Sequence, residues 1–441
     1  MSPARRAVRS PRLSVLSAGF LLLVATLFTT CSVHSDQRGR ETLELWGLGR
    51  EGEVVAELIP EFERRNPGIH VVVQQIPWSA AHEKLLTAYV GESTPDIAQM
   101  GNTWIPEFHA VGALEDLTPW VARSKVVRAD DHFPGIWATN IVDGKLYGVP
   151  WYVDTRVIFY RTDFLKQAGY DHPPRTWSEW MEMMQRIKTP KRWPILLPTN
   201  EWNQPVMFGL EMGSKLLKDG GRYGDFEGPA FSRAFETYIG MFRNGLAPAL
   251  SNNEVANLYQ QFAQGEFAMY ITGPWNVGEF KRRLPDNVQD KWMTAPMPAP
   301  PGGTYPGASL AGGASLSIFK RSQHKEAAWK LIEFLSETEQ QEKFANLTGD
   351  LPALRAAWET PSLKNDPYMK AFRVQLENVV PTPTVPEWEQ IATAVYETVQ
   401  MAVRGVSTKD ALASLDRKTD RILEKRRWVL AREASGEAQA K

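Results

Sequence analysis

DGKLYGVPWYVDTRVIFYRTDFLKQAG, residues 143–169, is the stretch on which the fold turns. It sets Trp151, Tyr152 and Asp154 directly after a Gly-Val-Pro turn and carries two close acid–base neighbours, Asp154 with Arg156 and Arg161 with Asp163. A strand that merely fills a core has no use for those charges. The segment is therefore either aromatic core or a wall against which something flat and polar lies.

Outward from this point the pattern alternates. TLELWGLG, residues 42–49, reads as a short buried strand, and 53–66 as a helix with Val55, Leu58, Ile59 and Phe62 on one face and a kink at Pro60. Residues 69–76 read as a second strand, 84–90 as helix, and PDIAQM as a third strand ending at Gly101. Such alternation gives an α/β sheet covered on both faces. Thr176 and Glu179 form a capping box that opens a helix burying Trp180, Met183, Met184 and Ile187. Helices follow over 231–243 and 258–264, the second stopped by Gly265 and succeeded by a strand, FAMYI, that breaks at TGPW. The Pro- and Gly-rich run 295–313 reads as a connecting loop, and 325–346, 390–403 and 409–430 as helices. No repeat at solenoid periods is present.

The 441 residues allow two or three domains at roughly 150 residues each. Arg5, Arg6, Arg9 and Arg12 precede an uncharged apolar run over 13–28, and no acid occurs before Asp36, the order of an export signal over 1–30. The run is short for a membrane span and holds Ser14, Ser17 and Gly19. Cys31, the only cysteine, excludes an internal disulfide. LFTTC resembles a lipoprotein signal in which Cys31 is lipidated, with Thr30 where Gly, Ala or Ser is usual; cleavage near SVHS is the alternative and leaves a soluble secreted chain. Removing 1–30 takes four arginines from 50 basic residues and none of 51 acidic ones, leaving 46 against 51, a net of −5. That balance gives no reason to expect nucleic acid.

Reactive motifs are scarce. The histidines at 34, 70, 82, 109, 132, 172 and 324 have no metal-ligand spacing, and no metal or cofactor is expected. Gly307, Ser309 and Ala311 miss the nucleophile-elbow pattern by one residue, and no phosphate loop occurs. A carboxylate pair for glycoside hydrolysis stays open among 51 acids. Tryptophan is abundant, 16 in all, and Trp46, Trp104, Trp151, Trp275 and Trp388 sit at element ends. Sugars present apolar C–H faces to such rings and hydroxyls to carboxylates, amides and arginine.

In order and spacing, FERRNPGIHV, TPDIAQM, VDGKLYGVPWYVDTRVIFYRTDFLKQAG, PPRTWSEW, FAMYITGPW, GGASLSIFKRSQHKEAAWKLIEFL and ENVVPTPTVPEW resemble the extracytoplasmic sugar-binding proteins of ABC importers, nearest the trehalose/maltose type. The resemblance covers nearly all of 42–430. It implies an α/β fold of two lobes, each a sheet flanked by helices, with a sugar cleft between them. Lobe I is expected over 42–152 plus 309–362 and lobe II over 155–305 plus 367–433, with a linker at 31–41 and a tail at 434–441. Crossings fall near 152–155, 307–312 and 360–367.

Carried onto this chain, the resemblance makes Trp275 of TGPW the residue that stacks a sugar ring. Tyr152 and Asp154 become a hinge aromatic and a hydroxyl-binding carboxylate, with the aromatics of GVPWYVD facing the cleft. Gly312 and Gly313 become a backbone turn against the sugar, and Glu51 a polar ligand, with Glu53 nearly equivalent. Gln75 and Asn102 stand where relatives carry a basic residue and an acid. Trp46, Trp104, Trp151, Arg355 and Trp388 complete the candidates. The implied protein is a non-enzymatic, exported monomer in the periplasm or on the outer face of the membrane. It passes maltose, trehalose or a similar sugar to permease subunits and their ATPase, and touches membrane only through a lipid on Cys31. A secreted carbohydrate-active enzyme is the alternative.

Overall fold

The computed structural model describes residues 39–435. The export signal, Cys31, most of the expected linker and the end of the tail lie outside the described residues. Glu41, assigned to the linker, already opens the first strand, its N–H bonded to the Gly68 carbonyl at 2.8 Å. Ala434, assigned to the tail, is the last residue of the helix Glu424–Ala434.

Two sheets carry the architecture. In the first, Glu41–Leu48 lies parallel to Ile69–Ile76 on one side and to Ile97–Gly101 on the other, joined by the helices Gly49–Arg65 and Trp78–Val90. Gly49–Arg65 lays Val54, Val55, Leu58, Ile59 and Phe62 on the sheet, a helical stripe that leaves Pro60 on the solvent side. Gly312–Ile318 adds antiparallel to Ile97–Gly101, then Val149–Asp154 and Leu351–Pro352 follow antiparallel beyond it. The second sheet runs Trp292–Ala295, Val157–Arg161, Phe267–Thr272, Trp193–Leu196. Only its last pair is parallel.

The quoted stretch is where the chain passes between sheets: Val149–Asp154 belongs to the first and Val157–Arg161 to the second, with Thr155 and Arg156 between them. A return passage comes at Ala311, between Ser309–Leu310, which pairs with Val379–Val380, and Gly312–Ile318. A third chain segment, Ala356–Glu359 and Pro361–Lys364, leads to the helix Met369–Gln375 packed on Val157–Arg161 and Trp292–Ala295. Gly313 is required at its place: with φ +131, a Cβ there would collide with the Tyr152 carbonyl across the ladder.

Three expected elements differ. The run 295–313 is not all loop, since it contains Ser309–Leu310 and the start of Gly312–Ile318. The helix expected over 325–346 is two, Lys325–Leu335 and Thr338–Thr348. Re-aiming the second seats buried Gln341 against the Trp151 and Leu335 carbonyls at 2.8 and 3.0 Å, bonds that apolar periodicity does not register. The helix over 409–430 likewise divides into Thr408–Ile422 and Glu424–Ala434 about buried Leu423. Thr176 does cap its helix by accepting from the Glu179 N–H, but the Glu179 carboxylate returns to the Arg175 N–H, one residue earlier than a capping box requires.

Candidate functional site

Strands of both sheets end toward one cavity of about 560 Å³. Glu51 stands in the first turn of the helix after Glu41–Leu48. Trp78 follows Ile69–Ile76, Asn102 and Trp104 follow Ile97–Gly101, and Asp154 ends its own strand. From the second sheet, Trp202 and Asn203 come after Trp193–Leu196, and Trp275 after Phe267–Thr272. Loops at the carboxyl ends of α/β strands are where such folds hold ligands.

The walls are aromatic and the floor is acidic. Trp78 and Trp104 meet edge to face at 5.7 Å, with His82 behind Trp104 at 5.1 Å. His82 is held charged to higher pH by its 2.8 Å bond to Glu107. Across the cavity the Trp275 ring is 42% exposed and begins the helix Trp275–Arg283 rather than ending a strand. It rests on Gly273, where any Cβ would collide with the indole. The guanidinium of Arg156 lies 4.7 Å from its ring centroid and also donates to Asp154.

On the floor, buried Glu51 accepts from the Trp78 indole N–H at 3.2 Å, with Asp350 lining the same floor. Burial first, then the charges of Glu51 and Asp154, push the Asp350 carboxyl up to about 8. It is therefore neutral at pH 7 and available as a donor. Burial also raises Asp154, opposed by Arg156, and keeps the Tyr152 phenol well above its usual range. Gly312 and Gly313 bring bare backbone to the same floor, and Asn102 is tied to the Ala311 carbonyl at 2.7 Å. At the rim, Thr103 donates to Glu389 at 2.6 Å, linking the turn after the third strand to the helix Trp388–Val403.

Of the expected residues, Glu51, Asn102, Trp104, Tyr152, Asp154, Trp275, Gly312 and Gly313 line this cavity. Five do not. Trp151 is 2% exposed and lies on Phe344 at 4.3 Å, because neighbouring strand residues point to opposite faces and Tyr152 takes the cavity side. The aromatics of GVPWYVD therefore do not all face the cleft. Trp46 is buried with Lys84 over its ring and its N–H on Glu44. Trp388 is 1% exposed and stands behind Trp202, edge to face at 5.5 Å. Arg355 pairs with Glu377 and covers Phe133. Gln75 bonds the Gly49 carbonyl and Glu53, which occupies Glu53 as well.

Sequence reasoning missed Trp78, Trp202, Arg156, Asp350 and Glu389. Trp78 and Trp202 had a usable signal, a tryptophan just past the carboxyl end of a strand. Asp350 had none, since it follows the left-handed Gly349 that ends a helix remote in sequence. Among the described residues no group of three His, Cys, Asp or Glu is placed to hold a metal ion. No described helix is long and apolar enough to cross a membrane.

A family model, the bacterial extracellular solute-binding proteins, matches residues 46–342. The fold matches the sugar-binding protein MalE of the phytopathogen Xanthomonas citri with a TM-score of 0.86 at 49% identity, covering 89% of this chain and 99% of that one. Maltose-bound MalE3 of T. maritima matches at 0.70 and 25% identity, over 86% of this chain and 99% of that one. The diacetylchitobiose binding protein DasA of Streptomyces coelicolor is 25% identical over 419 residues, 90% of this chain and 95% of that protein. Sequence and fold thus agree over most of the described residues, and the chain belongs to the bacterial extracellular solute-binding proteins as the sugar-binding component of an ABC transporter.

Proposed function

We propose that the protein captures a neutral disaccharide, maltose or trehalose, and hands it unchanged to its permease. The observation that carries this reading is the half-exposed indole of Trp275 facing a floor of hydrogen-bonding carboxyls in one cavity. A pyranose needs both, a flat apolar platform and paired donors and acceptors for its hydroxyls. Trp275 stacks the ring, Asp154 and Glu51 accept from hydroxyls, and Asp350 donates. Four carboxyls, of which Asp350 is neutral, line the cavity against one arginine already paired to Asp154, so no free cation is left to hold a phosphorylated or carboxylated sugar. The maltose bound by MalE3 and the diacetylchitobiose of DasA's name support a disaccharide or short oligosaccharide.

Lobe I over 42–152 plus 309–362 and lobe II over 155–305 plus 367–433 close on the ligand by rotation at Thr155–Arg156, at Ala311 and in the third passage near 360–367. The mature chain acts as an exported monomer anchored by a lipid on Cys31. Calorimetry of the purified protein with maltose, trehalose and longer glucans tests the reading, followed by chromatography of the recovered sugar. Saturable binding with intact sugar is the expected result. Cleaved sugar favours an enzyme built on the Glu51–Asp350 pair, and no heat with any glucan refutes the assignment.

A further inference from the structure

We propose that Arg156 is an internal placeholder: its guanidinium lies over the Trp275 ring, and a sugar must push it aside before it stacks. This rests on the reading of Trp275 as the sugar platform.

The geometry separates what is fixed from what moves. Arg156 lies on the two-residue passage between the sheets, and its backbone is clamped by buried Ser309, whose Oγ accepts from the Arg156 N–H at 3.2 Å and donates to its carbonyl at 2.8 Å. Trp275 is seated on Gly273 at the start of a helix, with no room to turn its ring that way. The long arginine side chain is therefore the mobile partner. Leaving the ring does not strand its charge, because Asp154 is bonded to the same guanidinium. Displacement thus costs the cation–ring contact alone, a factor of about 2 to 5 in an equilibrium.

The consequence is selectivity. A ligand gains affinity only if it replaces that contact with something larger, so a pyranose face succeeds where a small linear polyol, which covers little of the ring, does not. Arg156 sets a threshold rather than adding a bond.

The test uses Arg156→Lys, which keeps a cation for Asp154 but gives up the flat guanidinium stack. Calorimetry with maltose and with trehalose is expected to show binding tightened about 2- to 5-fold, and no such gain when Trp275→Ala is also present. The polyol ribitol, which covers too little of the ring to need the guanidinium displaced, is expected to gain less than either sugar, and an equal or larger gain overturns the proposal. In sugar-free protein, the Arg156 Nε–H resonance is expected to be shifted by the indole ring current, and the shift to vanish in Trp275→Ala. Absence of that shift overturns the proposal whichever sugar binds. Unchanged or weakened sugar binding in Arg156→Lys overturns the displacement while leaving the transporter reading intact. If no sugar binds the wild type, the functional reading falls and takes the displacement with it.

Discussion

Replacing Trp275 with Ala removes the more open of the cavity's two exposed indoles, Trp275 at 42% and Trp78 at 37%, and the structure sets the size of the effect. A tryptophan buries up to about 250 Å², so the 42% now exposed is about 100 Å² for a sugar to cover. At about 25 cal/mol per Å² this is worth about 2.5 kcal/mol. The wild type gives back about 0.5–1 kcal/mol when Arg156 leaves the ring. The net loss, about 1.5–2 kcal/mol, weakens Kd about 10- to 30-fold. Titration calorimetry at 25 °C with maltose and trehalose reads this directly, with Trp275→Phe expected to fall between wild type and Ala. Because the ring fills no closed core, the sugar-free protein should stay folded, its melting temperature lower by only a few degrees. An unchanged Kd makes Trp275 a bystander, and an unfolded variant makes it core; either result refutes the reasoning.

Asp350→Asn tests the floor. With its carboxyl raised from 3.8 to about 8, the folded protein holds a proton that the unfolded chain has already lost, so stability falls as pH rises from about 4 through 8 and is flat above. The variant should flatten that slope in melting curves across pH; an identical slope shows that Asp350 is ionised. His132 acts in the opposite sense: burial pushes it down from 6.5 to about 4, so stability is lost as pH falls between these values, and His132→Gln should reduce acid sensitivity in urea titrations at pH 5 relative to pH 7. Gly313→Ala, forced to φ +131 against the Tyr152 carbonyl, should cost at least about 1–3 kcal/mol and weaken sugar binding with it; a melting point equal to wild type would show that the ladder relaxes freely.

The fold was largely legible because alternating strands and helices leave strong periodic signals, and Ile69–Ile76 and Leu258–Gln264 carry the expected bounds. The helix breaks at Ser336–Glu337 and Leu423 were not legible, since a buried Gln341 or a continuing apolar stripe looks like one helix. Within the cavity, a residue's place on an element's end was the usable clue. That clue misled at Trp151, where strand alternation turns the ring into the core, and at Trp388, which supports Trp202 instead of reaching the cavity. Arg156 and Asp350 were illegible for a different reason: their roles depend on partners, Trp275 and Glu51, about 120 and 300 residues away, and no local pattern encodes such a meeting.

The same pair of carboxyls that keeps an enzymatic reading in view also argues for capture. Retaining and inverting glycosidases hold their two carboxyls about 5 to 9.5 Å apart so that acid and nucleophile or base act on opposite sides of one bond. Glu51 and Asp350 instead share one buried floor, where burial and the neighbouring charges push the Asp350 carboxyl up to about 8. Such a pair offers a sugar an O–H donor beside a carboxylate acceptor, matching hydroxyls that must both give and receive. Protonating a leaving oxygen from Asp350 would place a second negative charge beside Glu51 and near Asp154, in the same partly desolvated floor that holds Asp350 neutral. That cost weighs toward capture, and a carboxyl raised for general-acid work would show itself by cleaving the sugar instead.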